Sequence, residues 1–119
     1  MREYKSQGYS IFHETMADMS WPEVQKASEE GAIILFPTGV IEQHGPHMCT
    51  GVDTYLAYVY ARILKEKLET KGVKSLIVPP FYWGITGYRG TYPGSFTCRA
   101  ETVKAVYYDI LDCLNEWGF

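Results

Sequence analysis

The sequence predicts an α/β fold with a mainly parallel sheet, on three observations. Short continuous apolar runs alternate with stretches whose apolar residues recur at helical spacing. The order helix, strand, loop, helix, strand, loop, helix is the alternation that builds parallel sheets through right-handed crossovers. Both long loops leave the carboxyl ends of strands, where open α/β sheets place their ligands.

Ser20-Trp21-Pro22-Glu23 opens the first helix. Ser20 can cap, Pro22 sits where its missing N–H costs nothing, and Glu23 completes a capping box. The helix is expected to run to about Glu30 and stop at Gly31. Ala32-Ile33-Ile34-Leu35-Phe36 then reads as a strand buried on both faces, ended by Pro37 and Gly39. A loop from Thr38 to Val52 follows. Leu56, Val59, Tyr60, Ile63, Leu64 and Leu68 mark a second helix, with Gly72 as terminator.

Ser75-Leu76-Ile77-Val78 is a second strand, stopped by Pro79-Pro80. A loop from Phe81 to Arg99, rich in Gly, Tyr and Thr, leads to a last helix from about Ala100 to Trp117. That helix places Val103, Val106, Tyr107, Ile110, Leu111 and Leu114 on one face, and Gly118 follows it. Loops of this length in a compact domain usually serve a function. Two strands are too few for an independently stable parallel sheet. Residues 1–119 are therefore expected to be the N-terminal portion of a single larger domain, or to complete their sheet with another polypeptide.

Composition narrows the function classes. The chain is 46% hydrophobic, with ten Tyr, five Phe and three Trp, which is ample material for a core. Eleven basic and fourteen acidic residues are scattered without a basic stripe, so nucleic acid is not an expected partner. The longest strongly apolar run, Ala32 to Phe36, is far short of a membrane span, and Met1 to Lys5 leads into polar sequence without a signal-peptide core. The expectation is a cytoplasmic protein with no membrane contact. Cys49, Cys98 and Cys113 form an odd, unclustered set that suggests neither a disulfide framework nor a zinc ribbon, and Cys49 is read as a loop or packing residue.

The segment Glu42-Gln43-His44-Gly45-Pro46-His47, followed by Asp53, is the richest in chemistry. Glu42 and His44 are two apart, so in an extended segment their side chains leave on the same side. Gly45-Pro46 turns the chain and can return Asp53 to the pair. Mixed oxygen and imidazole donors suit Zn²⁺ or Mn²⁺ better than a thiolate-loving metal. Plainer readings stand beside this one: Asp53 as the N-cap of the helix that follows, and Glu42 and His44 as loop residues bonded to backbone. Zinc-finger, HExxH, P-loop and GxSxG patterns are absent.

The run Phe36-Pro37-Thr38-Gly39-Val40-Ile41-Glu42-Gln43-His44-Gly45-Pro46-His47, with Asp53-Thr54 after it, resembles the signature of the creatininase (creatinine amidohydrolase) family. Pro79-Pro80-Phe81-Tyr82-Trp83-Gly84-Ile85-Thr86, continuing to Tyr92-Pro93-Gly94-Ser95, resembles a second family segment in the same order and spacing. The resemblance implies a three-layer α/β/α, creatininase-like fold, present here in part. It also implies a hydrolase of C–N bonds in a cyclic amide or related small molecule, with water activated at a dinuclear centre of Zn or Mn, two ions per complete site. Glu42 would bind one ion, His44 the other, and Asp53 would bridge them. His47 would stand nearby or face substrate, Thr86 would contact substrate, and Gly94 and Ser95 would shape the pocket wall. A homo-oligomer, in many members a hexamer, and a small-molecule substrate are implied as partners.

The chain departs from the family pattern at Val40, Met48, Cys49, Val52, Arg89 and Ser95, and none of these removes a ligand. Arg89 stands where many members have His; it could pair with an anionic or polyhydroxylated substrate, or stand as a solvated loop residue. A keto-inositol is therefore the alternative substrate, and a non-catalytic homologue serving in assembly the alternative role. The family's remaining ligands, a His and a Glu, follow the next strand. The expectation is that this polypeptide alone binds metal weakly and has little hydrolase activity.

Overall fold

The computed structural model describes residues 12–87 and 90–119. Three α-helices and two strands occur in the predicted order: α1 (Trp21–Glu29), β1 (Ile33–Leu35), α2 (Val52–Thr70), β2 (Ser75–Ile77) and α3 (Ala100–Glu116). A short 3-10 turn, Met16–Asp18, precedes them and has no periodic signal in the sequence. It is closed by the buried Thr15, whose hydroxyl donates to the Phe12 carbonyl at 2.6 Å and accepts from Ala17 N–H at 3.3 Å.

Helix ends follow local rules. At α1 the Glu23 carboxylate accepts from both the N–H and the hydroxyl of Ser20, at 2.6 and 2.7 Å. All three α-helices stop in the same way. Gly31, Gly72 and Gly118 sit at φ +76°, +75° and +95°, a region that costs other residues a Cβ clash. In each case the glycine N–H and the next residue's N–H return to carbonyls of the last turn, as in Gly31 N–H to Ser28 O and Ala32 N–H to Ala27 O, both 2.9 Å.

Strands β1 and β2 pair in parallel with Ile33 opposite Ser75 and Leu35 opposite Ile77. The pairing continues past the strands: Thr38 bridges Phe81, and Gly39 N–H donates to the Phe81 carbonyl at 2.7 Å. The two long loops therefore leave the sheet side by side. Strand β2 is buried throughout, with Ile77 1% exposed. Strand β1 differs from the expectation of burial on both faces, since Ile33 is 44% exposed and Ile34 and Leu35 are only half-buried. Within the described residues β1 has a strand on one side only.

Helix α2 corrects a second expectation. Its buried positions are Thr54 and Ala61, and Lys65 reaches over to donate to the Ser75 carbonyl at 2.6 Å. Leu56, Val59, Tyr60, Ile63 and Leu64, the face that periodicity marks as core, are all exposed. The buried positions of α2 thus carry small side chains, and these larger apolar side chains are turned to solvent. In α3, Val103 and Leu114 are buried and Tyr107 packs edge-on against Phe36 and Phe81, at 5.7 and 4.9 Å between ring centroids. Val106 and Leu111 of the predicted face are exposed. The Ser28 hydroxyl donates to the Trp117 carbonyl at 2.7 Å, joining α1 to the end of α3. Among the described residues no helix is long and apolar enough to cross a membrane.

Candidate metal centre

The loop leaving β1 passes over the first turn of α2 with no room to spare. A Cβ added at Gly39 would lie 2.7 Å from Thr54 Oγ1 and 2.8 Å from Thr54 Cα and N. That close approach brings the start of α2 beside the segment carrying Glu42 and His44. Helix α2 is capped by Gly51, so Asp53 lies inside the first turn and is not the N-cap that its position before a helical pattern suggested. Its carboxylate is left to face His44.

Three donor groups meet here. One ligand atom each from Glu42, His44 and Asp53 can be chosen so that all lie within 4.8 Å of one another. His44 Nε2 is 3.0 Å from Asp53 Oδ1, while His44 Nδ1 is 3.0 Å from the main-chain carbonyl of Glu42. The carbonyl can only accept, so Nδ1 donates to it; Nε2 is turned to the Asp53 carboxylate, with which it shares a proton when the imidazole is charged. This is the orientation that a metal-binding histidine needs, with its other ring N–H fixed by a backbone acceptor. The side chains of His44 and Asp53 are 24% and 35% exposed, so the cluster is open to solvent on one side.

Electrostatics point the same way. Partial burial, then the hydrogen bond and repulsion of the neighbouring Asp53 carboxylate, push the Glu42 carboxyl above its ordinary value, against the pull of His44. The hydrogen bond to the Glu42 carbonyl, then the Asp53 and Glu42 carboxylates, raise the His44 imidazole, against the cost of desolvation. Two carboxylates gathered round one imidazole are relieved by a cation placed between them, and the donor set fits Zn²⁺ or Mn²⁺.

Other predicted residues are distributed around this centre. Ser95 lies against it: its hydroxyl accepts the Gln43 N–H at 2.8 Å. Gly94 (φ +90°) faces Thr50, whose carbonyl accepts the Glu42 N–H at 3.0 Å. Thr86 is held through its main chain, its N–H donating to the Thr97 hydroxyl at 2.9 Å and its carbonyl accepting from it at 3.0 Å. His47 is exposed and outside the three-residue cluster, next to Gly45. Arg89 lies outside the described residues. Thr50 and Thr97, which brace the loops through hydrogen bonds, carried no sequence signal; Gly39 did, as part of the motif.

The comparisons with known proteins agree with the fold and motif. The family model for creatininase (creatinine amidohydrolase) matches residues 17–119. The chain belongs to the creatininase family. It is 25% identical over 109 residues to the creatinine amidohydrolase of Pseudomonas putida, a match covering 87% of this chain and 40% of that protein. It is 29% identical over 77 residues to the mycofactocin precursor peptide peptidase of Mycobacterium ulcerans (strain Agy99), covering 61% of this chain and 31% of that one. A solved creatininase in a manganese form superposes with a TM-score of 0.71 at 25% identity, over 88% of this chain and 41% of that one. The α/β, creatininase-like fold class is thus established, and the chain spans well under half the length of these relatives.

Proposed function

We propose that this chain supplies one part of the metal centre of a hydrolase that cleaves C–N bonds of amide type in a cyclic amide or related small molecule. The observation that carries the reading is the convergence of Glu42, His44 and Asp53, with His44 turned so that Nε2 faces the carboxylates. Two relatives support the bond class: one is named as an amidohydrolase and the other as a peptidase, and both names denote hydrolysis of an amide-type C–N bond. That shared chemistry favours an amide over a keto-inositol.

Glu42 would hold one divalent ion, His44 the other, with Asp53 between them; Zn or Mn suits these donors. When bound, such ions supply Lewis-acid polarisation of the scissile carbonyl and activation of water. The chain's own residues do the rest. The Glu42 carbonyl holds the His44 Nδ1–H, so that Nε2 is the ring nitrogen turned towards Asp53, and any proton Nε2 shares with that carboxylate would be displaced on metal binding. Ser95 and Phe96 tie the second loop to Gln43 and Ile41, and Gly94 and Ser95 would shape the pocket wall beside the donors. Three protein donors leave coordination positions to be filled from outside these residues, so the chain alone binds metal weakly.

The test is metal uptake and amide cleavage by one preparation. The chain is titrated with Mn²⁺ and Zn²⁺ and then offered cyclic amides and short peptides. Uptake that disappears in Glu42→Ala, with any C–N cleavage disappearing alongside it, supports the reading. A chain that takes up neither ion, or takes it up equally after Glu42→Ala, overturns it.

A further inference from the structure

Four backbone groups around Glu42 are held by hydrogen bonds. The Ile41 carbonyl before it accepts from Phe96 N–H at 2.9 Å, and the Glu42 N–H donates to the Thr50 carbonyl at 3.0 Å. The Glu42 carbonyl takes the His44 Nδ1 proton at 3.0 Å, and the Gln43 N–H donates to Ser95 Oγ at 2.8 Å. Three of these four contacts are made by main-chain groups or by His44 itself. The fourth depends on a single hydroxyl, fifty-two positions along the chain.

That hydroxyl is itself fixed. Tyr92-Pro93-Gly94-Ser95 closes a turn, with Ser95 N–H donating to the Tyr92 carbonyl at 3.0 Å. Pro93 presets the first central position and Gly94, at φ +90°, supplies the positive φ of the second, the residue pattern of a type II turn. A Cβ on Gly94 would touch Thr50 Cγ2 at 3.4 Å, so the turn is seated on the residue whose carbonyl holds Glu42. A mobile serine would gain little by bonding to a loop; a serine locked at the end of a tight turn transmits the position of one loop to the other.

We propose that Ser95 is a positioning residue for the metal centre: its hydroxyl, held by the Tyr92–Ser95 turn, fixes the Gln43 peptide and thereby the directions of the Glu42 and His44 side chains on either side of it. This rests on the metal-centre reading and adds to it a residue that touches no ion. The consequence is specific. The hydroxyl matters and the bulk of the side chain does not, because Gln43 N–H needs an acceptor in that place.

The experiment compares Ser95→Ala, Ser95→Thr and Ser95→Val in the full chain. Mn²⁺ affinity is followed by the loss of the free-ion electron paramagnetic resonance signal, and the Gln43 amide by hydrogen exchange in the metal-free protein. Ser95→Ala and Ser95→Val are expected to weaken Mn²⁺ binding about tenfold, the lower end of what removing an outer partner of a ligand costs. Both lose protection at the Gln43 amide, whereas Ser95→Thr keeps affinity and protection near those of the unaltered chain. Equal affinity and equal Gln43 protection in Ser95→Val and Ser95→Thr would overturn the positioning role while leaving the metal centre standing. No Mn²⁺ uptake by the unaltered chain would overturn the metal centre, and this inference with it.

Discussion

Replacing Gly39 by alanine adds one methyl group at the tightest point between the first loop and α2. The new carbon would stand 2.7 Å from Thr54 Oγ1 and 2.8 Å from Thr54 Cα and N. Comfortable contact is about 3.5–4.0 Å, so the loop and the helix must part by about 0.7–1.3 Å. Two of the three obstructing atoms are backbone in the first turn of a helix and cannot rotate aside. Overpacking of this kind costs about 1–3 kcal/mol, which for a chain of this length corresponds to a fall of about 4–12 °C in Tm. Asp53 precedes Thr54, so the same displacement carries its carboxylate away from His44 Nε2, now 3.0 Å distant, towards the limit of a hydrogen bond. Metal affinity is then expected to fall about tenfold. Thermal denaturation and Mn²⁺ titration of Gly39→Ala are compared with those of Gly87→Ala, where an added Cβ meets nothing within 4 Å. Gly87→Ala is expected to stay within about 0.5 kcal/mol of the unaltered chain. If the two variants matched in both Tm and affinity, the argument that this contact places Asp53 would be refuted.

Further expectations concern the frame of the site. Ile77, 1% exposed in β2, is expected to cost about 2–5 kcal/mol when changed to alanine, whereas Ile33→Ala in β1, at 44% exposure, should cost much less; chemical denaturation of both checks the order. Glu14 is held below its ordinary value of 4.5, chiefly by the hydrogen bond from Arg62. A lowered folded pKa gives stability that is present above the ordinary value and is lost as pH falls through the folded one. Arg62→Ala should therefore narrow the gap in stability between neutral pH and acid, by a small amount because the pair is well exposed, and an unchanged acid limb in denaturation series would contradict this. Tyr107→Leu removes the edge-on contacts with Phe36 and Phe81 and should lower stability by about 1 kcal/mol beyond the loss of area, as a double-mutant cycle with Phe81→Leu would register.

Much of the frame was legible because it is set by local chemistry. Gly31, Gly72 and Gly118 mark three helix ends through the same left-handed requirement, and Ser20, Pro22 and Glu23 mark a helix start. The short apolar runs gave both strands to within a residue or two. What periodicity could not supply was which face of α2 turns inward. Helical spacing marks Leu56, Val59, Tyr60, Ile63 and Leu64 as apolar, but the positions the fold buries on α2 are Thr54 and Ala61, with Thr54 lying against Gly39 where only a small residue permits the approach. At the site, residue types and a two-residue spacing identified the donors Glu42 and His44 as a pair. The return of Asp53 depends on Gly39 lying against Thr54, a contact between segments that no spacing reveals. The same holds for Ser95 and Phe96, whose hydrogen bonds to Gln43 and Ile41 join loops far apart in sequence, while Thr50 and Thr97 each close a hydrogen bond within one loop.

The central claim is that His44, with Glu42 and Asp53, receives a divalent ion. With three histidines in the chain, proton NMR of the imidazole resonances during a Zn²⁺ titration tests it residue by residue. The account predicts that the His44 ring signals move with added zinc and saturate, that Asp53→Asn weakens the response, and that His13 and His47 stay near their metal-free positions. Movement of His47 or His13 with His44 unchanged would contradict it.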